Sequence, residues 1–356
     1  MPKITIRNIA KETGLSPATV SLSLRGNPRI PRETRERVVE AASRIGYRPT
    51  PAIAQLMSHI RSSRKVESQT TVAFLNAGVR KDVTKQGGYA AELFEGIRDQ
   101  AGNRGYNIDV FWLKEKNMSM QRVDKILQSR AIQGLIIPPI RDYSARLELD
   151  WDRFTAVTVG YSVLEPRLNR IVGNQRQAIM TCLYKLLQTG HQRIGAVWHE
   201  QFDVRMNFIC STIYDWFQKL LPTSRKIPFL SLKSGSENLD DLATWYDRYK
   251  PDGILTHIPL LPASLREIGV EVPRDVSLVR EGSRTEPTSV SGSYINPFEI
   301  GQRLMKQLDS QLQQSDFGIP SRPSTILLDM IWEDGDTLKQ RGKPDKLANQ
   351  LEAMSW

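Results

Sequence analysis

The chain is poor in the residues that most catalytic and metal chemistry needs. Only two of its 356 residues are cysteine and four are histidine. Cys182 and Cys210 lack metal-ligand spacing and each falls within a helical pattern, so buried reduced thiols are expected rather than a disulfide framework or a zinc site. His59, His191, His199 and His257 form no pair at ligand spacing. Gly87 and Gly88 precede a helical pattern without the other glycines or the lysine of a phosphate loop, and there is no nucleophile elbow. These absences point away from an enzyme and from any cofactor or metal. No run of about 18 apolar residues occurs, and the opening Met-Pro-Lys-Ile-Thr is no apolar signal segment, so a cytoplasmic protein without a membrane partner is expected.

Charge, by contrast, is concentrated. Residues 1–65 hold 13 Lys and Arg against 4 Asp and Glu, whereas the rest holds 36 against 35. A local excess of this kind favours a polyanion partner over a generally basic surface. The same segment carries a helix pair. Thr5 can cap a first helix with Ile6, Ile9 and Ala10 on one face; Gly14 supplies the turn, and Ser16 followed by Pro17 marks the start of a second helix. Val20 and Leu24 then face the first helix, which turns Pro17, Ala18, Ser21, Leu22 and Arg25 outward toward a groove. Residue type and helix face give Arg25, Arg29 and Arg35 the role of backbone anchors.

Val38, Ala41, Ala42 and Ile45 predict a third helix over 32–45 that closes a small core and ends at Gly46. Pro49 and Pro51 forbid helix before residue 50; Ala52 to Ile60 is a short helix candidate with Thr50 as cap, too short to be stable alone. Residues 61–70 read as an exposed linker. The expected organisation is a headpiece at 1–49, a hinge helix and linker at 50–70, a larger body at 71–338 and a tail at 339–356, for which a frayed end and a small helix remain open.

Ala-Thr-Val-Ser at 18–21, Glu-Thr-Arg-Glu-Arg-Val at 33–38 and Gly-Tyr-Arg-Pro at 46–49 carry a resemblance to the headpiece of the lac repressor family of bacterial transcription regulators. The resemblance implies double-stranded DNA as partner, read by a homodimer on a near-palindromic operator. The second helix, with Thr19 among its residues, would lie in the major groove, with Thr5, Ser16 and Tyr47 in the same interface. Paired hinge helices would enter the minor groove, where Leu56 corresponds to the wedging leucine and Met57 is its fallback. The chain also departs from the family. Leu22 stands where an Arg that reads guanine is usual and could offer only apolar contact to a thymine methyl; Pro31 replaces the usual Ser cap, Arg25 a common Asn, and Ile53 and Ala54 are out of step with the usual hinge.

From Thr71 the pattern is α/β. Apolar runs at 71–76, 108–113, 134–138, 154–160, 193–198, 227–232, 253–257 and 276–280 predict buried parallel strands. Helical patterns lie between them at 90–105, 120–130, 178–189, 205–221, 239–249 and 261–269. This body resembles the family's effector domain, similar in fold to type I periplasmic sugar-binding proteins, on Gly105-Tyr106, on 190–195, on 272–276, and on Asn296-Pro297 with Gly301. The resemblance implies two lobes with parallel sheets, three crossings between them, a helix at 297–314 that returns to the first lobe, and a ligand cleft at the carboxyl ends of the strands. Relatives hold sugar hydroxyls with an Asn-Asp pair and with an Asp in a Gly-aromatic-Asp run. Here Ile258-Pro259 and Arg280-Glu281-Gly282 stand in those places. What remains for an effector is Arg205, Trp198 as a stacking surface, His257, Arg280 and Glu281, a set better suited to an acidic or larger ligand than to a plain neutral sugar.

The function expected is therefore a DNA-binding transcription regulator, in the repressor manner, controlled by a small molecule that is carbohydrate-like or acidic. A regulator of the same fold without small-molecule control stays open, as does a cytoplasmic sugar-binding or sugar-processing protein.

Overall fold

A computed structural model describes residues 5–24, 30–45, 47, 70–140, 145–233, 239–284 and 289–352. The headpiece comprises α1 (Ile6–Thr13), α2 (Pro17–Leu24) and α3 (Arg32–Arg44). Asn8 Oδ1 accepts from the Thr5 N–H at 2.9 Å, Gly14 turns the chain at φ +68°, and Ser16 Oγ accepts from the Thr19 N–H at 3.0 Å. Each of these satisfies backbone donors or conformations that a helix end leaves open. Ile9, Val20, Val38, Ala41 and Ala42 are buried together, as the spacing predicts. So small a core leaves the unit little stability of its own.

The body begins with β1 (Thr70–Asn76), α4 (Gly88–Asn103), β2 (Tyr106–Trp112), α5 (Met120–Ser129), β3 (Gly134–Ile137), the short β4 (Ala145–Arg146), β5 (Thr155–Val159), β6 (Val163–Glu165) and β7 (Asn169–Gly173). A second run follows with α6 (Gln175–Gln188), β8 (Ile194–His199), α7 (Glu200–Arg205), α8 (Ile209–Lys219), β9 (Leu230–Leu232), α9 (Leu239–Tyr249), β10 (Gly253–Thr256), α10 (Leu261–Glu267), β11 (Ser277–Ser283) and β12 (Gly292–Ile295). The chain closes with α11 (Pro297–Gln314), β13 (Thr325–Leu328), β14 (Ile331–Glu333) and α12 (Lys346–Glu352).

Two six-stranded sheets result. The first has the order β13-β7-β5-β3-β1-β2 and is parallel throughout; the second has the order β14-β12-β11-β10-β8-β9, with only β14 antiparallel. Helices cover both faces of each sheet, so alternate residues of a central strand enter different cores. Val72 and Phe74 of β1 pack toward α4 and α11, while Ala73 and Leu75 pack toward α5.

The chain passes between the lobes three times: after Gly173, after Ile295 and after Leu328. As predicted, α11 returns to the first lobe. There its Asp309 accepts from Tyr106 Oη at 2.8 Å and pairs with Arg104. The α4–α11 crossing is close because two glycines meet backbone: a Cβ on Gly96 would stand 1.9 Å from the Phe298 carbonyl oxygen, and one on Gly301 2.2 Å from that of Leu93. Asn174 and Asn296 cap α6 and α11 as they leave the crossings, and Asn174 also donates to Asp329 at 2.8 Å, strapping the first crossing to the third.

Two expectations change and an open one is settled. The pattern at 205–221 is not one helix: Asn207 and Phe208 take positive φ, and Asp203 Oδ1 accepts from the N–H groups of Cys210 and Ser211, so α7 ends and α8 starts anew. The strand expected at 227–232 shortens to Leu230–Leu232, because Pro228 cannot donate to the ladder. Of the two alternatives left open for the tail, the small helix is found: residues 339–352 join the second lobe, where α12 buries Ala348 and Leu351 against α6. The hinge at 50–60 and linker residues 61–69 lie outside the described residues.

Candidate functional site

In the headpiece, α2 presents Pro17 and Ala18 exposed and Ser21 and Leu22 half-buried, while Val20 is fully buried behind them. This outer face holds small or apolar side chains and no acidic residue. Thr19 hydrogen-bonds Ser16 through its hydroxyl at 2.9 Å, Thr5 is exposed at the start of α1, and Arg35 is half-buried on α3. Tyr47 packs on the headpiece core, its N–H donating to the Ala42 carbonyl at 2.9 Å. Arg25, Arg29, Leu56 and Met57 lie outside the described residues.

Between the lobes lies a cavity of about 660 Å³, within the range of small-ligand sites. The carboxyl ends of strands from both sheets open on it. Pairing sets Val197, Thr256 and Arg280 side by side in β8, β10 and β11, so the residues that follow them gather at one rim. His257 sits there, its ring stacked on Phe202 with centroids 3.9 Å apart. The Arg205 guanidinium lies 5.8 Å from the Phe202 ring centre, and that of Arg280 lies 5.0 Å from the Tyr294 ring centre. From the first lobe come Tyr89, Tyr161 and Ser162; Gln175 opens α6 at the crossing.

The electrostatics of the cavity are one-sided. Its lining among the described residues includes Arg205, Arg280 and His257 and no Asp or Glu. Burial, reinforced by His199, Arg205 and Arg280, holds His257 well below the ordinary histidine range, so its ring is neutral at pH 7. Its Nδ1 and the Arg280 Nε are buried without a hydrogen-bond partner. His199 meets His257 edge to face at 5.2 Å, a pair the sequence spacing did not reveal. Among the described residues no group of three His, Cys, Asp or Glu could hold a metal.

Three of the five effector residues read from the sequence, Arg205, His257 and Arg280, line the cavity. Trp198 and Glu281 do not. Trp198 is fully buried in the second-lobe core, stacked between Phe229 at 5.7 Å and His257 at 6.0 Å, so it backs the cavity wall rather than offering a ring to a ligand. Glu281 follows Arg280 in β11, and successive strand side chains point to opposite faces. Its carboxyl enters the core beside Trp198, where burial pushes its pKa up to about 7 against smaller opposing effects of Trp198 and Arg280. Pro259 and Gly282 do line the cavity, while Ile258 turns into the core. Tyr89, Tyr161, Gln175 and Phe202 were missed; each lies within two residues of a strand end or in the first turn of a helix, a position that the rule for ligands at strand carboxyl ends would have singled out.

Residues 5–50 match the family model of bacterial regulatory proteins, lacI family. The chain is 34% identical over 133 residues to the HTH-type transcriptional regulator pepR1 of Lactobacillus delbrueckii subsp. lactis, a match covering 37% of this chain and 36% of that protein. It is 27% identical over 209 residues to catabolite control protein A of Priestia megaterium, covering 54% of each. The chain thus spans about half or less of the length of these curated relatives. Its fold is shared with the lac repressor dimer bound to operator and the anti-inducer ONPF, at a TM-score of 0.54 and 16% identity, covering 94% of this chain and 99% of that one. Residues 5–50 thus match the lacI family model, and the two-lobed body shares the fold of the lac repressor.

Proposed function

We propose that the protein is a sequence-specific DNA-binding transcription regulator of the cytoplasm, acting as a homodimer on a near-palindromic operator and controlled by a small molecule in the interlobe cavity. The observation that carries this reading is the headpiece. Its helix pair is capped and packed so that the outer face of α2 is left for a groove, and the chain's excess positive charge is gathered in the same segment. One headpiece makes few base contacts, so two linked copies are needed for useful specificity. The cavity supports ligand control over a regulator without it, because it joins both lobes beside crossings that a ligand could open or close. The test is selection from a random DNA pool by the full chain. A two-fold-related consensus is expected, and recovery of DNA without sequence enrichment would refute the reading.

A further inference from the structure

We infer that the interlobe cavity takes an oxyanion: a compact small molecule whose carboxylate or phosphate docks between Arg205 and Arg280 while its neutral body lies against Phe202 and the first-lobe wall. The inference rests on the cavity being the ligand site. It begins from charge. Guanidinium groups stay protonated at any physiological pH, so Arg205 and Arg280 both bring positive charge to one cavity. Arg280 is the more telling of the two, because its Nε is buried without a hydrogen-bond partner, an arrangement that costs free energy until an acceptor arrives. His257 adds a second unsatisfied buried nitrogen on the same rim.

The backbone adds charge of the same sign. The first turns of α4 and α6 reach the cavity through Tyr89 and Gln175, and neither contains an acidic residue. Their partial positive ends favour an anion. The remainder of the lining gives the body of the ligand its character. Val159, Val172, Ile295 and Ile300 are apolar, whereas Ser162, Gln175 and Ser283 supply a few hydroxyl or amide groups. Pro259 and Gly282 also line the cavity and offer no side-chain polar group. A neutral polyol would therefore gain few partners, and an anion would gain charge-assisted ones.

The experiment is calorimetry of the full chain at fixed ionic strength with matched neutral and anionic probes: glucose with glucose 6-phosphate and glucuronate, ribose with ribose 5-phosphate, and benzyl alcohol with benzoate. At least one anion is expected to bind tenfold or more tightly than its neutral partner, and whether phosphate or carboxylate gains more identifies the preferred group. Arg205→Gln with Arg280→Gln should remove most of that advantage. If the double variant does not fold, the wild-type comparison still decides. The inference is overturned if every neutral probe matches or exceeds its anionic partner, if no probe binds, or if the folded double variant keeps the preference. DNA selection with the same samples separates the two readings: enriched DNA with no anion preference removes this inference alone, and anion binding without enriched DNA removes only the regulatory reading.

Discussion

At the residue scale, Arg280 and Glu281 show how neighbours in sequence acquire opposite tasks. One lines the cavity and the other is sealed beneath it, because a strand alternates its faces. Neither oxygen of Glu281 has a hydrogen-bond partner, and its carboxyl titrates near 7 instead of the ordinary 4.5. The folded state therefore holds its proton more tightly than the unfolded chain does. Stability from this group is full below about 4.5 and is lost as pH rises through about 7, a loss of roughly 3 kcal/mol at about 1.4 kcal/mol per pH unit. Glu281→Gln, which cannot ionise, should gain stability relative to the wild type between pH 5 and pH 8 in urea unfolding. A gap that stays constant with pH would show that the carboxyl is solvated. Leu22 carries the other residue-scale prediction. Its side chain stands on the outer face of α2 and offers no hydrogen bond, so Leu22→Arg should change the DNA consensus by about 1–3 kcal/mol at one base pair. An unaltered consensus would mean that Leu22 does not reach a base.

At the element scale, legibility followed burial. Strands enclosed on both faces, such as β1, β3 and β10, form continuous apolar runs and were read close to their observed limits. Strands β13 and β14 were not, since they lie at sheet edges where Ile326, Leu327 and Ile331 are exposed and no periodicity marks them. The break between α7 and α8 escaped notice because neither Gly nor Pro signals it; it depends on the buried Asp203 side chain reaching the start of the next helix. That break also ends α7 at Arg205, at the cavity rim. In the site, Arg205, His257 and Arg280 line the cavity, whereas Trp198 lies behind its wall, because sequence gives no sign of which face of β8 is covered. The α4–α11 crossing gives a prediction of its own. Since a Cβ at Gly301 would meet the Leu93 carbonyl at 2.2 Å, backbone rather than a flexible side chain must move, and Gly301→Ala should cost about 1–3 kcal/mol or more despite alanine's better helix propensity. A variant as stable as the wild type in denaturant would show that the helices can part without loss.

At the scale of the whole molecule, a small basic headpiece with a modest core is joined to a nearly charge-balanced body that has large ones. On the proposed reading the division suits a regulator, with the headpiece binding DNA by charge and a few base contacts and the body holding the ligand site and setting the spacing of two headpieces. The first and third crossings are tied by Asn174 and Asp329, and Asn296 caps α11 at the second. The measurement that bears most directly on this account is the affinity of the full chain for its selected DNA and for a scrambled duplex, titrated across salt. Contact with about five or more phosphates predicts a log–log slope near −4 or steeper, and specific binding should exceed scrambled binding by at least about 10³. A shallow slope with equal affinity for both duplexes would contradict the assignment of DNA reading to this headpiece.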